Sequence, residues 1–178
     1  TIIQTLPVSS NNGVSIGNIR SEELASSIDG YKTYRIMIDL DSSAENVYAL
    51  AGTSDQALQI PPAFQVGAPF GADIGGVNSA LFVSNSDSQF DSWITLGMDD
   101  GSDTSAISAS PGLGLNTWTE TVGFNTTDGA IFWMNPDNGP RRNEEGIVIG
   151  QFTIPNGADQ QTFSGLLQGR SNVGDDWQ

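Results

Sequence analysis

The apolar positions of this chain fall in short runs whose spacing is that of β-strands. The two strongest lie between Gly129 and Pro155. Ala130-Ile131-Phe132-Trp133-Met134 is β-branched and aromatic, while Gly146-Ile147-Val148-Ile149-Gly150-Gln151-Phe152-Thr153-Ile154 is apolar on both faces early and alternates late. Both read as central strands. Asn135-Pro136-Asp137-Asn138-Gly139-Pro140 continues neither, because proline fixes φ, the Asx residues turn the backbone and glycine is free to take φ > 0. The spacing predicts a long-looped hairpin or a crossover between sheets.

The cleanest alternation runs from Tyr31 to Leu40, with Tyr34, Ile36, Ile38 and Leu40 on one face and Lys32 at the wet end of that face. A turn at Asp41–Glu45 and a return over Asn46–Thr53 make this pair the expected hairpin. Further strands are expected over Ala80–Val83, Ser92–Gly97, Trp118–Val122 and Thr162–Gln168. Ser21–Ala25 reads as one helical turn with Ser21 as N-cap, and no long helix is expected. Residues 54–79 are rich in proline and glycine, the mark of a functional loop or an assembly surface.

Residues 1–20 form an expected N-terminal arm, with Ile2, Leu6 and Val8 before the breaker Asn11-Asn12-Gly13, and Val14 and Ile16 after it. Two roles are open to it. It is either an edge strand packed on its own domain or a donor strand laid into the sheet of a neighbouring copy, where main-chain hydrogen bonds give affinity and alternate side chains give register. With the arm pieces the pattern gives about nine or ten short strands separated by turn signals, which argues for an all-β fold. The expected class is an antiparallel β-sandwich, jelly-roll or Greek-key-like, with residues 21–178 as a single domain behind the arm.

Composition narrows the chemistry. The 178 residues include no cysteine and no histidine, which removes disulfides, thiolate metal sites, the commonest ligand for zinc, copper and iron, and the Ser/His and Cys/His catalytic sets. Six basic against 21 acidic residues give a net charge of −15, a field that repels nucleic acid and anionic membranes. Cationic partners or divalent ions fit better. The sequence starts at Thr1 without a signal-peptide core, and the expectation is a mature, processed, secreted chain that does not insert in a membrane.

Asp99-Asp100-Gly101-Ser102-Asp103 places three carboxylates around a turn glycine, making Asp99, Asp100 and Asp103 candidate ligands for Ca²⁺, which takes oxygen donors from such loops. Polar turns use the same residues for backbone reasons. Carboxylate pairs hydrolyse glycosides without histidine, and Asp91, Glu120, Glu144 and Glu145 lie near tryptophans in sequence. Twenty-one acids supply such pairs by chance, and no enzyme is expected. Lys32, on a regular strand, is expected in a salt bridge or in solvent. For stacking on a sugar, Trp118 and Trp177 read as freer than Trp93 and Trp133, which fall inside core strands. Asn125-Thr126-Thr127 is a glycosylation acceptor pattern at Asn125.

The segments AIFWMNPDNGP, GIVIGQFTIP and LLQGRSNVGDDW resemble a group of uncharacterised secreted proteins of aquatic microbes, a resemblance running from about Tyr31 to the end. They are also similar to jelly-roll subunits of extracellular fibrils found in natural water, in which N-terminal arms link neighbours. The resemblance implies a fold and an assembly mode, and it carries over no catalytic residue. The expected function is that of a structural subunit of an extracellular fibre, joined head-to-tail to copies of itself, with Ile2, Leu6, Val8, Val14 and Ile16 as the inserting side chains. The alternative is a calcium-dependent carbohydrate-binding module.

Overall fold

Strand pairing follows the hydrophobic pattern where that pattern is longest. The computed structural model describes residues 3–4, 8–9, 15–111 and 113–178. Strand β4 (Tyr31–Leu40) lies between β3 (Ser15–Leu24) and β11 (Ile147–Pro155), antiparallel to both. Short strands β2 (Val8–Ser9) and β7 (Trp93–Ile94) complete this sheet in the order β2-β3-β4-β11-β7. The second sheet has the order β14-β13-β5-β10-β8, built from Asp176–Trp177, Leu166–Arg170, Ala49–Gly52, Gly129–Trp133 and Ile107–Ala109. Small two-stranded pairs join β6 (Leu58–Ile60) to β9 (Phe124–Thr126) and β1 (Ile3–Gln4) to β12 (Gln161–Thr162).

The two five-stranded sheets close on one apolar core, the arrangement of an antiparallel β-sandwich. Ile36, Ile38 and Phe152 enter it from one sheet and Leu50, Ile131 and Leu167 from the other. A β-bulge between Val148 and Gly150 inserts Ile149, so that Ile147, Ile149, Phe152 and Ile154 all reach the core across a break in the alternation. Gly146, at φ +83°, supplies the left-handed turn into this strand. Near one end of the core the Phe152 ring meets Trp118 edge-on at 6.0 Å and Phe163 at 5.1 Å.

Several expectations change on contact with this topology. The segment from Gly129 to Pro155 is a crossover, with β10 central in one sheet and β11 central in the other. The expected hairpin of Tyr31–Leu40 with Asn46–Thr53 does not form, because β3 and β11 already occupy both edges of β4. The intervening chain instead crosses to the other sheet, where the Glu45 and Asn46 N–H groups donate to the Arg170 carbonyl at 2.8 and 3.3 Å. Ser21–Ala25 is no helical turn: Ser21 and Leu24 pair with Ile36 and Thr33 inside β3, and the ladder outweighs a weak capping signal.

Ala80–Val83 is a 3₁₀ turn, Ser79–Val83, capped by Asn78 Oδ1 accepting from Ala80 N–H at 2.9 Å. A second 3₁₀ turn, Ser86–Phe90, follows with Asn85 as its cap. Trp118–Val122 is a tight turn closed by Thr119 N–H donating to the Val122 carbonyl at 2.9 Å. Ser92–Gly97 keeps only the two residues of β7 as strand, and Thr162–Gln168 is split between β12 and β13. No α-helix occurs among the described residues.

Phe152→Ala removes the ring from both aromatic contacts and is expected to lower the unfolding free energy by about 3–5 kcal/mol. Val83→Ser, at a position 95% exposed, is expected to stay within about 0.5 kcal/mol of the parent. Urea denaturation of the two variants beside the parent measures both.

Candidate functional site

The strand edges come first, because the N-terminal segment reaches the body through main-chain pairing. β1 lies parallel to β12, with Ile3 opposite Gln161 and Gln4 opposite Thr162. β2 lies antiparallel to β3, with Val8 opposite Gly17. Ile2, Leu6 and Val14 lie outside the described residues. Ile16 does not behave as an inserting arm residue: it is 3% exposed in the core of its own chain, and its carbonyl accepts from Asp41 N–H at 2.8 Å. The body therefore starts at β3, before the expected boundary at residue 21, because Ser15–Leu24 runs as one strand along β4. Beside the β1–β12 pair lies a groove of about 320 Å³ lined by Gln59, Ile60, Pro62, Phe124, Asn125 and Gln161. Asn125 stands exposed on β9 at its wall.

The acidic loop makes no metal centre. Asp99 accepts from Arg35 Nη1 at 2.9 Å, Asp100 from Ser79 Oγ at 2.8 Å and Ser102 N–H at 2.9 Å, and Asp103 from Ser105 N–H at 3.0 Å. The three carboxylates turn their own backbone or pair with arginine instead of converging, and no group of three acids among the described residues is placed to share an ion. Hydrogen bonds from Ser79 and Ser102 hold the Asp100 carboxyl below its usual range, as those from Ser105 do for Asp103. Trp118 and Trp177, expected to be free for stacking, are 3% and 2% exposed and donate to the Pro61 and Arg170 carbonyls at 2.8 and 3.0 Å. Lys32 pairs with Glu23 at 2.8 Å.

A second cleft, of about 400 Å³, opens over the outer face of β4 and β11 and was not apparent in the sequence. Its floor is Arg35, whose guanidinium lies 5.4 Å from the Trp93 ring centroid. Arg35 Nη2 donates to Gln151 Oε1 at 2.7 Å, and Gln151 Nε2 donates in turn to the carbonyls of Gln89 and Asp91 at 3.0 and 2.8 Å. Half-buried Phe82 and Phe90, from the two 3₁₀ turns, form part of the wall, and Asp99 and Asp100 stand at the rim. Phe82, from the apolar run that reads as a strand at Ala80–Val83, thus stands in the wall of a cleft. Only the asparagines at 78 and 85, each two residues before the backbone N–H it caps, could have signalled this.

Behind the cleft, Asp91 is fully buried. Its Oδ1 accepts from Val66 N–H at 2.8 Å and its Oδ2 from Ala72 N–H at 2.7 Å. The carboxylate thereby pins residues 66–72 into a tight loop, and a Cβ on Gly71 would sit 1.8 Å from the Val66 carbonyl oxygen. Beyond the loop, Gly75 N–H donates to the Ile94 carbonyl and Ile94 N–H to the Asp73 carbonyl, each at 3.0 Å, which covers the outer edge of β7. Burial pushes the Asp91 carboxyl up to about 7, against the opposing pull of backbone N–H groups, and nearby Asp73 adds to the rise. So placed, Asp91 is a structural pin, and Glu120 accepts from the Tyr31 hydroxyl at 3.2 Å.

No family model, curated protein or solved structure matches this chain.

The pH dependence of stability tests the Asp91 pin. Its folded pKa, about 7, lies above the ordinary 3.8, so between these values the native chain holds a proton that the unfolded chain has released. This group's contribution is therefore fully present at low pH and is lost as pH rises toward 7. Asp91→Asn is expected to flatten that slope, seen as a smaller fall in urea midpoint from about pH 5 to about pH 8 than in the parent.

Proposed function

We propose that this protein is a structural subunit of an extracellular fibre, joined to copies of itself by an N-terminal arm that docks on the strand edge of the next copy. The observation that carries this reading is the β1–β12 pair, in which a two-residue segment is held on the body by main-chain pairing. Such a contact is indifferent to which chain supplies the strand, so exchange between copies replaces like with like. The ten residues 5–14 between β1 and β3 span at most about 35 Å when extended. That is enough for the arm to leave its own edge for a neighbour's. The side chains proposed to insert are Ile2, Leu6, Val8 and Val14, and the groove beside β12 is the proposed acceptor. Because the contact is heterologous, repetition without ring closure gives a filament.

Three nested antiparallel pairs, β8 with β10, β7 with β11 and β5 with β13, support a jelly-roll reading of the sandwich, as a long hairpin wound on itself. The reading assigns no enzymatic step. The net charge of −15 sets copies to repel, and salt relieves this because charges are screened beyond about 8 Å at physiological ionic strength.

Negative-stain electron microscopy of the intact chain at neutral pH and moderate salt, with and without a chelator, is expected to show filaments in both conditions. Deletion of residues 1–14, which spares β3 and its core residue Ile16, is expected to leave folded monomers. Filaments that persist after this deletion overturn the arm mechanism, and discrete particles from the intact chain in every condition overturn the fibre reading.

A further inference from the structure

Two buried side-chain polar atoms among the described residues have no hydrogen-bond partner, Arg35 Nε and Ser88 Oγ, and both residues line the cleft over β4 and β11. Ser88 is 1% exposed. Buried polar groups are nearly always paired, so two orphans at one cleft mark a place where something from outside completes the hydrogen bonding. The cleft volume, about 400 Å³, lies within the range of about 300–1,000 Å³ typical of small-ligand sites.

The donors define the ligand. Arg35 commits Nη1 to Asp99 and Nη2 to Gln151, which leaves Nε–H as a donor seeking an oxygen acceptor. Ser88 Oγ both donates and accepts. A hydroxyl group answers both. Phe82 and Phe90 line the same cleft as these polar atoms, and aromatic carbon in a site with polar groups suits a ring with one apolar C–H face and a polar edge. The charge at the rim argues against an acidic ligand: Asp99 and Asp100 flank the opening, and an incoming carboxylate would have to displace Asp99 from Arg35 in a chain of net charge −15. We infer that this cleft binds a neutral saccharide, with Arg35 Nε and Ser88 Oγ on its hydroxyls and Phe82 and Phe90 against its ring faces. Because Asp99, Asp100 and Asp103 are engaged in an ion pair and turn hydrogen bonds, calcium has no part in this mode. It stands apart from the arm and its acceptor groove.

The test is isothermal titration calorimetry of the full chain, chelator present, with maltohexaose, laminarihexaose and mannohexaose as neutral probes and hexagalacturonate as the acidic one. At least one neutral probe is expected to bind and to change the tryptophan fluorescence, with the acidic probe weaker by roughly tenfold or more. Arg35→Lys keeps the charge but removes Nε–H and is expected to weaken binding by roughly tenfold, Ser88→Ala by roughly threefold. Arg141→Ala, remote from the cleft, is expected to change nothing. If Arg35→Lys fails to fold, Ser88→Ala, which removes one hydroxyl, decides. Absence of binding by all three neutral probes, affinity undiminished by both cleft substitutions, or tighter binding of hexagalacturonate each overturns the inference.

Discussion

Burying β11 on both faces is the constraint from which most of this structure follows. The strand is paired on both edges, with β4 and β7, so its backbone is satisfied by neighbours. Its inner face is apolar, but its outer face carries Gln151 and Thr153, 1% and 0% exposed. Polar side chains so placed must find partners. Thr153 shares a hydrogen bond with Thr33 at 2.8 Å, and its N–H donates to Ser92 Oγ at 2.9 Å. Gln151 joins Arg35 to the end of a 3₁₀ turn. The covering segment is therefore anchored by the strand it covers, and the cleft lies beside that anchor, with Arg35 in its lining.

Parts of this were legible in the residues. Tyr34, Ile36, Ile38 and Leu40 are buried where alternation places them because β4 lies on the core from Tyr34 onward. In β11 the bulge at Val148/Gly150 explains why the run is apolar on both faces before it alternates. Partner choice was not legible. The turn signals at Asp41–Glu45 mark a change of direction equally well in a hairpin and in a crossover, and the edges available to β4 depend on β3 and β11, which lie far apart in sequence. The tryptophans erred in the same way: Trp118 and Trp177 stand outside long runs yet are buried, because each indole N–H reaches a carbonyl from another segment. The cleft was invisible because its parts come from positions 35, 82, 88–90, 93 and 151, among others.

The charge imbalance is organised rather than merely spread over the surface. Arg20, Lys32, Arg35, Arg141 and Arg170 all sit in ion pairs, five of the six basic residues of the chain. Arg20 ties β3 to Asp39 on β4 and to the Glu145 carbonyl ahead of β11. Arg170 lies over the Tyr48 ring at 5.6 Å and pairs with Asp137 and Asp176. Exposed pairs of this kind each contribute little, yet they hold the cations beside particular strands and leave the remaining surface acidic.

The chain segment lying across β7 has a consequence for growth. A sheet with two bare edges is a template that extends without limit in both directions. Here the Ile94 N–H and carbonyl are both taken by Asp73 and Gly75, so the β7 side is closed at that point by the molecule itself. A sheet stopped on one side takes further strands only on the other, here the β2 side, and so lacks the two open edges that runaway amyloid stacking needs.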